Sequence, residues 1–400
     1  MNLNNYRSLL SKKYWLIYGL YFTVFFAIGS IDKTTAIFFD GIKNGEVIYG
    51  FILSAFSIVD IIIPTISGAL SSKLGAKRVS IYYFLLCVIM SFGMVIIKRN
   101  IYFLGLILIV IYASRSVFNF SAGTNIIYGI DNSKKGKFFA IRDLFLYSSI
   151  ALGLFVSSLI INVASVRVAI IFNSSFLLLS ILFLSRLEKE DSKKVKINSS
   201  SEKHFSAFKI KAMIKEYSMV IKNRNFVIIL SSNILGSIYA ATTAFLPFLA
   251  LSFGMDYQSI LYAFAGMTLL NAIFALLIGD VADNSDKRLF YLIDIGSDMI
   301  PIILYLLSTN IYIFIVALII SSLKDIFAPT TFAYKYEVFE DSNGQLSIAA
   351  LETFTNLFTF FIPAIIGILW NVIGRYIFCI AFIAVFISFL LSFLLPKSKK

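Results

Sequence analysis

Along most of the chain, apolar residues follow one another without the polar interruptions of an amphipathic helix or the alternation of a half-buried strand. Stretches of roughly 20 such residues each suffice to carry an α-helix across about 30 Å of hydrocarbon. They predict spans at about 14–38, 47–70, 79–97, 101–128, 138–162 and 166–185, then a second six at about 226–251, 257–279, 289–307, 311–336, 346–370 and 375–395. The long polar stretch from Arg186 to Asn225 falls between the two sets. The chain therefore divides into a first six-span unit (1–185), a linker (186–225) and a second six-span unit (226–400). The first part of the linker, EKEDSKKVKINSSSEK, has the composition of a disordered tether. Its second part sets Phe205, Phe208, Ala212, Met213, Val220 and Ile221 among lysines at near-helical spacing, which predicts an amphipathic helix lying on the membrane surface.

Composition agrees with this pattern, since 59% of the residues are hydrophobic and only 14% charged. The 35 basic residues against 22 acidic ones would suit nucleic acid if they clustered, but their distribution excludes it. Most fall in alternate loops and at the termini, among them Lys12 and Lys13, Lys73, Lys77 and Arg78, Lys134 to Lys137, Lys287 and Arg288, and Lys397 to Lys400. By the positive-inside rule these loops and both termini face the cytoplasm of a multi-pass cell-membrane protein whose macromolecular partner is lipid. The first apolar run is too long for a secretory signal and is expected to stay as a span. Cys87 and Cys379 sit far apart in apolar runs and read as small buried hydrophobes; with His204 the single histidine, no metal or cofactor is predicted.

The two halves repeat each other. Gly68 to Ser72 with Lys77 and Arg78 falls against Gly279 to Asp283 with Arg288, an offset of 211. Arg115 falls against Lys324, and Arg142-Asp143 against Leu351-Glu352, both at 209. Parallel repeats of this kind underlie one large class of transporters.

GDVADNSDKR (Gly279–Arg288) and GALSSKLGAKR (Gly68–Arg78) resemble the paired Gly-x-x-x-Asp-x-x-x-x-Arg/Lys loops of the major facilitator superfamily, with Ser72 where that family has Asp. GKFFAIRDLFLYSSIALG and FAPTTFAYKYEVFEDSNGQLSIAALETF resemble the cytoplasmic ends of helices 4–5 and 10–11 in its drug-efflux-like branches. The resemblance implies an all-α integral membrane fold of 12 transmembrane helices in two pseudo-symmetric six-helix bundles, with helices 1, 4, 7 and 10 lining a central cavity. It also implies a conformational latch. In it Gly279 allows close helix contact and Asp283 and Arg288 supply charge, while Gly68, Lys77 and Arg78 stand in the first copy, which lacks the anion.

Ionisable groups at membrane depth are costly and so mark function. Arg115 lies about mid-span in helix 4, and Lys324 and Asp325 lie at matching depth in helix 10. These three, with Asp60 in helix 2, are the expected substrate or coupling residues, an ion pair between Arg115 and Asp60 being the structural alternative. Asn119 and Asn233 are candidate hydrogen-bonding partners of a solute. Asp294 and Asp298, one turn apart in helix 9, read as structural or water-facing. The expected function is secondary transport of a small organic solute by a monomer, protons being the coupling ion and export being favoured over movement of an organic anion. No phosphate-binding Gly-rich loop points to ATP drive. A non-transporting sensor or membrane enzyme on the same fold is the alternative class, but the clustered His, Cys or carboxylates of an enzyme are missing.

Overall fold

The computed structural model describes residues 11–96, 101–123, 126, 135–187, 221–282, 286–324, 327, 331, 334–335, 337–339 and 344–397. Among them every regular element is helical. In the first half α1 (Lys12–Gly29) and α2 (Ile31–Phe38) make one span bent at Ser30, followed by α3 (Gly45–Leu74), α4 (Ala76–Ile96), α5 (Ile101–Phe118), α6 (Lys135–Val163) and α7 (Val166–Arg186). The fourth span continues beyond α5 as a wider π-turn, Asn119–Gly123. In the second half α8 (Arg224–Thr243) and α9 (Leu246–Ser252) make the seventh span and α10 (Tyr257–Ala282) the eighth. The ninth is α11 (Lys287–Ser297) with α12 (Met299–Leu307), and α13 (Ile311–Lys324) begins the tenth. The last two passes are α14 (Gly344–Thr359) with α15 (Ile362–Ile373), and α16 (Ile377–Ser392).

Ten stretches of the described residues are long and apolar enough to cross a membrane, and Ile311–Leu323 is a shorter apolar helix. One of the ten, Ala350–Ser392, has 43 residues and contains two passes that reverse at Gly374, whose φ of +54° lies in the region where a side chain is strained. The described spans are consistent with the twelve-span pattern of the sequence. Only Ile221 of the six linker residues expected on a surface helix is described, so that helix falls outside the described residues.

Polar residues at the loop junctions start the helices. Ser165, Asn223, Asp286 and Asn310 each accept a hydrogen bond from a backbone N–H of the first turn that follows. Asp256 does the same for Ser259 at 2.7 Å, and the hydrogen bonds from Ser259 hold its carboxyl below the usual carboxylate range. Where the seventh and eleventh spans break, Pro247 and Pro363 open the next segment, a position at which the missing N–H costs nothing. The outward faces carry Ile89, Phe92, Leu182 and Ile383 in the open, an arrangement only lipid can cover. Tyr102 and Tyr312, 87% and 83% exposed, mark the same end of the repeat-related helices α5 and α13 as an aromatic belt would.

Two helix pairs make the most extensive contacts between the halves. α6 packs along α10, and α3 along α15, while the largest apolar cluster draws residues from both halves. Two smaller clusters belong to one half each. The cross-half contacts gather at one end. Tyr257 donates to Asp40 (2.7 Å), Tyr49 to the carbonyl of Ala244 (3.3 Å), and the N–H of Ala364 to Ser54 (2.9 Å). The Tyr49 ring meets Phe245 and Phe248, and the ammonium of Lys33 lies 4.8 Å from the centre of the Phe264 ring.

Candidate solute cavities

Two cavities occupy repeat-related places, one in each half. The larger, about 440 Å³, lies between α1, α5 with its π-turn, and α6. The smaller, about 290 Å³, lies among α8, α11, α14 and α16 together with Asp298, Thr331 and Lys335. Tyr21, Phe25 and Gly29 line the first; Ser232, Gly236 and Ala240, at the offset of the signature loops, line the second.

Arg115, Asn119 and Gly123 stand four residues apart on the wall of the larger cavity. The π-turn places them, because an added residue per turn rotates the following side chains; such turns recur at functional sites. Gly123 sits close to its neighbours: a Cβ would lie 3.0 Å from the carbonyl oxygen of Phe118 and 3.6 Å from the Tyr21 hydroxyl. Arg115 is exposed to the cavity while Ala113, Ser114, Ser116, Val117 and Phe118 around it are buried. Arg142 and Asp143 complete the charge on this wall. The guanidinium of Arg142 donates from both Nε (2.8 Å) and Nη2 to Oδ1 of Asp143 and lies 5.9 Å from the centre of the Tyr21 ring. This pair was visible in sequence only as a repeat position, since neither residue is alone in an apolar run.

Asp60 stands behind that wall. One of its carboxylate oxygens accepts from the Tyr112 hydroxyl at 3.2 Å and the other from Ser116, so it ties α3 to α5 on either side of Arg115. Tyr112 itself stacks on Phe56, centroids 4.0 Å apart and planes 2° from parallel. The aromatic residues of the first span divide: Tyr21 and Phe25 line the cavity, whereas Tyr18 is buried against Phe138 and Phe145.

In the second half Asn233 accepts a hydrogen bond from Lys335 (2.9 Å), and Asp294 accepts one from Thr331 (2.8 Å). Asp294 and Asp298 both line this cavity. Lys324 ends α13 with its side chain outside the described residues, and Asp325 lies wholly outside them. Lys335, overlooked in sequence, is a cation of the cavity that is described; the clue was a lysine between the apolar tenth span and the acidic Glu337-Val-Phe-Glu-Asp341.

The model of the Major Facilitator Superfamily matches twice, over residues 14–320 and 228–400, and so covers nearly the whole chain. The chain belongs to the Major Facilitator Superfamily. It is a membrane transporter of small solutes and not an enzyme. Two crystal structures of the nucleoside transporter NupG share its fold. One, of a point mutant of that transporter, has a TM-score of 0.72 at 16% identity, covering 95% of this chain and 98% of that one. The other has a TM-score of 0.68 at 16% identity, covering 96% and 98%. No curated protein matches the chain.

The superfamily's loop cations act within their own halves in this conformation. Lys77 donates to the carbonyls of Ser185 (3.1 Å) and Leu187 (2.8 Å) at the end of α7, and Arg288 donates to the carbonyl of Phe393 (2.8 Å) at the end of α16. Each satisfies carbonyls that a helix C-terminus leaves without a partner and meets the negative end of its dipole. Lys287 pairs with Glu337 at 3.1 Å. Gly68 is exposed, and a Cβ there would meet nothing within 4 Å, so no close helix contact depends on it in this state. Arg78 is exposed, and Asp283 and the surroundings of Gly279 lie outside the described residues.

Proposed function

We propose that this facilitator is a proton-coupled secondary transporter that moves a small organic solute by alternating access, working as a monomer. One observation carries the reading: the halves are joined by named contacts at one end, while a polar cavity in each half lies along the same helices toward the other end. With the basic loops taken as cytoplasmic, both termini are inside, the seal is on the outer face, and the conformation faces inward.

The larger cavity receives the solute, and Arg115 and Asn119 contact it. Asp143 carries the coupling proton, because protonating its carboxylate releases the Arg142 guanidinium. Two guanidinium groups on one wall support an organic anion over the export of an amphipathic compound, the class favoured by sequence alone. Flux in proteoliposomes with an imposed pH gradient tests the reading, wild type beside Arg115→Ala. Gradient-driven accumulation in the wild type and its loss in the variant are expected. Equal movement with and without gradient and substitution would sink the coupling.

A further inference from the structure

We propose that the smaller cavity, in the second half, is a binding site for a compact zwitterion, an α-amino acid with an aliphatic side chain. This goes beyond the transport reading, which places the solute in the larger cavity and gives the smaller one no ligand. Three observations lead to it.

The first is that the wall carries both signs of charge. Asp294 and Asp298 line it together with Lys335. Lys335 donates to Oδ1 of Asn233 at 2.9 Å, and the charges of Asp294 and Glu352 also act on it. Asp294 in turn accepts from Thr331 at 2.8 Å. A solute with one net charge meets its own sign on this wall, an anion at the two carboxylates and a cation at the ammonium. A zwitterion adds one charge of each sign and so leaves the balance of the wall as it was, whatever pairs form within it. Its carboxylate at Lys335 and its ammonium at the aspartates make charge-assisted hydrogen bonds, about twice as strong as those of a neutral polar solute.

The second observation is a hydroxyl that the fold leaves over. Others on this wall are engaged. Ser232 and Ser388 share a hydrogen bond of 2.6 Å, Tyr291 donates to Ser232 at 3.4 Å, and Ser237 donates to the carbonyl of Asn233 at 2.8 Å. The hydroxyl of Thr355, on α14, lines the same cavity and is buried with no hydrogen-bond partner among the described residues. Such a group is costly in a folded protein, and a polar ligand in the cavity supplies its partner.

The third is shape. A Cβ on Gly236 would meet nothing within 4 Å, so the open space lies directly over the backbone of α8. A cavity of about 290 Å³ stands at the lower limit of small-molecule sites and suits a compact solute. Ala240, Ile295 and Val385 give it an apolar side for an aliphatic chain.

The test is equilibrium binding to the purified full-length protein in lipid nanodiscs, with no gradient imposed. The probes are L-leucine, the cation L-leucinamide, the anion 4-methylpentanoate and the neutral 4-methyl-1,2-pentanediol. In the wild type leucine is expected to bind about tenfold or more tightly than each of the other three, as the loss of a hydrogen bond to a charged group implies. Lys335→Gln should bring leucine and its amide to within about threefold of each other, and Asp298→Asn should do the same for leucine and 4-methylpentanoate. Gly236→Val fills the open space without touching a charge and should weaken leucine binding about tenfold or more. Absence of leucine binding by the wild type, equal binding of any of the other probes, or leucine binding unchanged in Gly236→Val would each overturn the inference. The wild-type comparison stands even if a variant does not fold. Binding at equilibrium is independent of gradient-driven flux, so failure of the transport reading leaves this result intact, and absence of leucine binding leaves the larger cavity's solute untouched.

Discussion

Asp60 shows how one residue changes meaning once its neighbours are known. A lone carboxyl in an apolar span reads as a candidate proton carrier, because ionisable groups at membrane depth are costly and mark function. Here both of its oxygens accept hydroxyls, from Tyr112 and Ser116, and so tie α3 to α5 beside Arg115. Asp60→Asn, which keeps an acceptor oxygen, is expected to retain gradient-driven accumulation. Asp60→Leu removes the acceptor of both hydroxyls and should lower stability by about 1–3 kcal/mol, read as thermal melting in detergent. Downhill flux without accumulation in Asp60→Asn would show the carboxyl to be the proton carrier after all. Arg115 was legible in sequence because a cation among apolar residues stands out. Arg142, Asp143 and Lys335 were not, since each sits near a polar span end, and only folding turns them toward a cavity.

At the scale of elements, the packing of α3 on α15 turns on two glycines. A Cβ on Gly50 would lie 2.5 Å from the carbonyl oxygen of Pro363, and one on Gly367 would lie 2.7 Å from that of Glu46. The two backbones touch at the sealed end, so side chains there act as a wedge. Gly50→Val and Gly367→Val are expected to destabilise the sealed state by about 1–3 kcal/mol, a shift of roughly ten- to hundredfold in the conformational balance. Spin labels at the exposed positions Lys43 and Asp256, in a background with Cys87 and Cys379 replaced, would report a longer distance across the seal. An unchanged distance would mean that the helices slide to accommodate the added carbons.

The loop cations belong to the same scale. Since Lys77 and Arg288 bind the ends of α7 and α16, Arg288→Gln should cost about 0.3–1 kcal/mol from the lost helix-end charge, seen as a melting point lower by about a degree. Solute affinity, fixed at the cavity, should stay within about twofold. A large loss of affinity would place the loop in direct contact with the solute path.

At the scale of the molecule, the apolar clusters describe the working unit. One cluster spans both halves at the seal, and one belongs to each half alone, so the halves can part as rigid bodies only where the shared cluster opens. Tyr257→Phe removes the hydrogen bond to Asp40 across the seal and is expected to raise the open population about two- to tenfold, the scale of one exposed bond to a carboxylate. The Lys43–Asp256 labels would measure it, and no change would make the bond incidental to closure.

The sequence by itself determined the spans, their division into two repeated units and the candidate Arg115, because apolar length and displaced charge are local properties that a bilayer reads directly. It left open which polar residues share a wall. That depends on helix rotation and tilt, set by contacts between residues far apart in the chain: Gly50 on Gly367, Asp60 on Tyr112 and Ser116, and the π-turn that turns Asn119 and Gly123 beside Arg115. Only the tertiary structure decided those, since a helix surrounded by lipid gains the same burial at every rotation until its small and polar residues meet their partners.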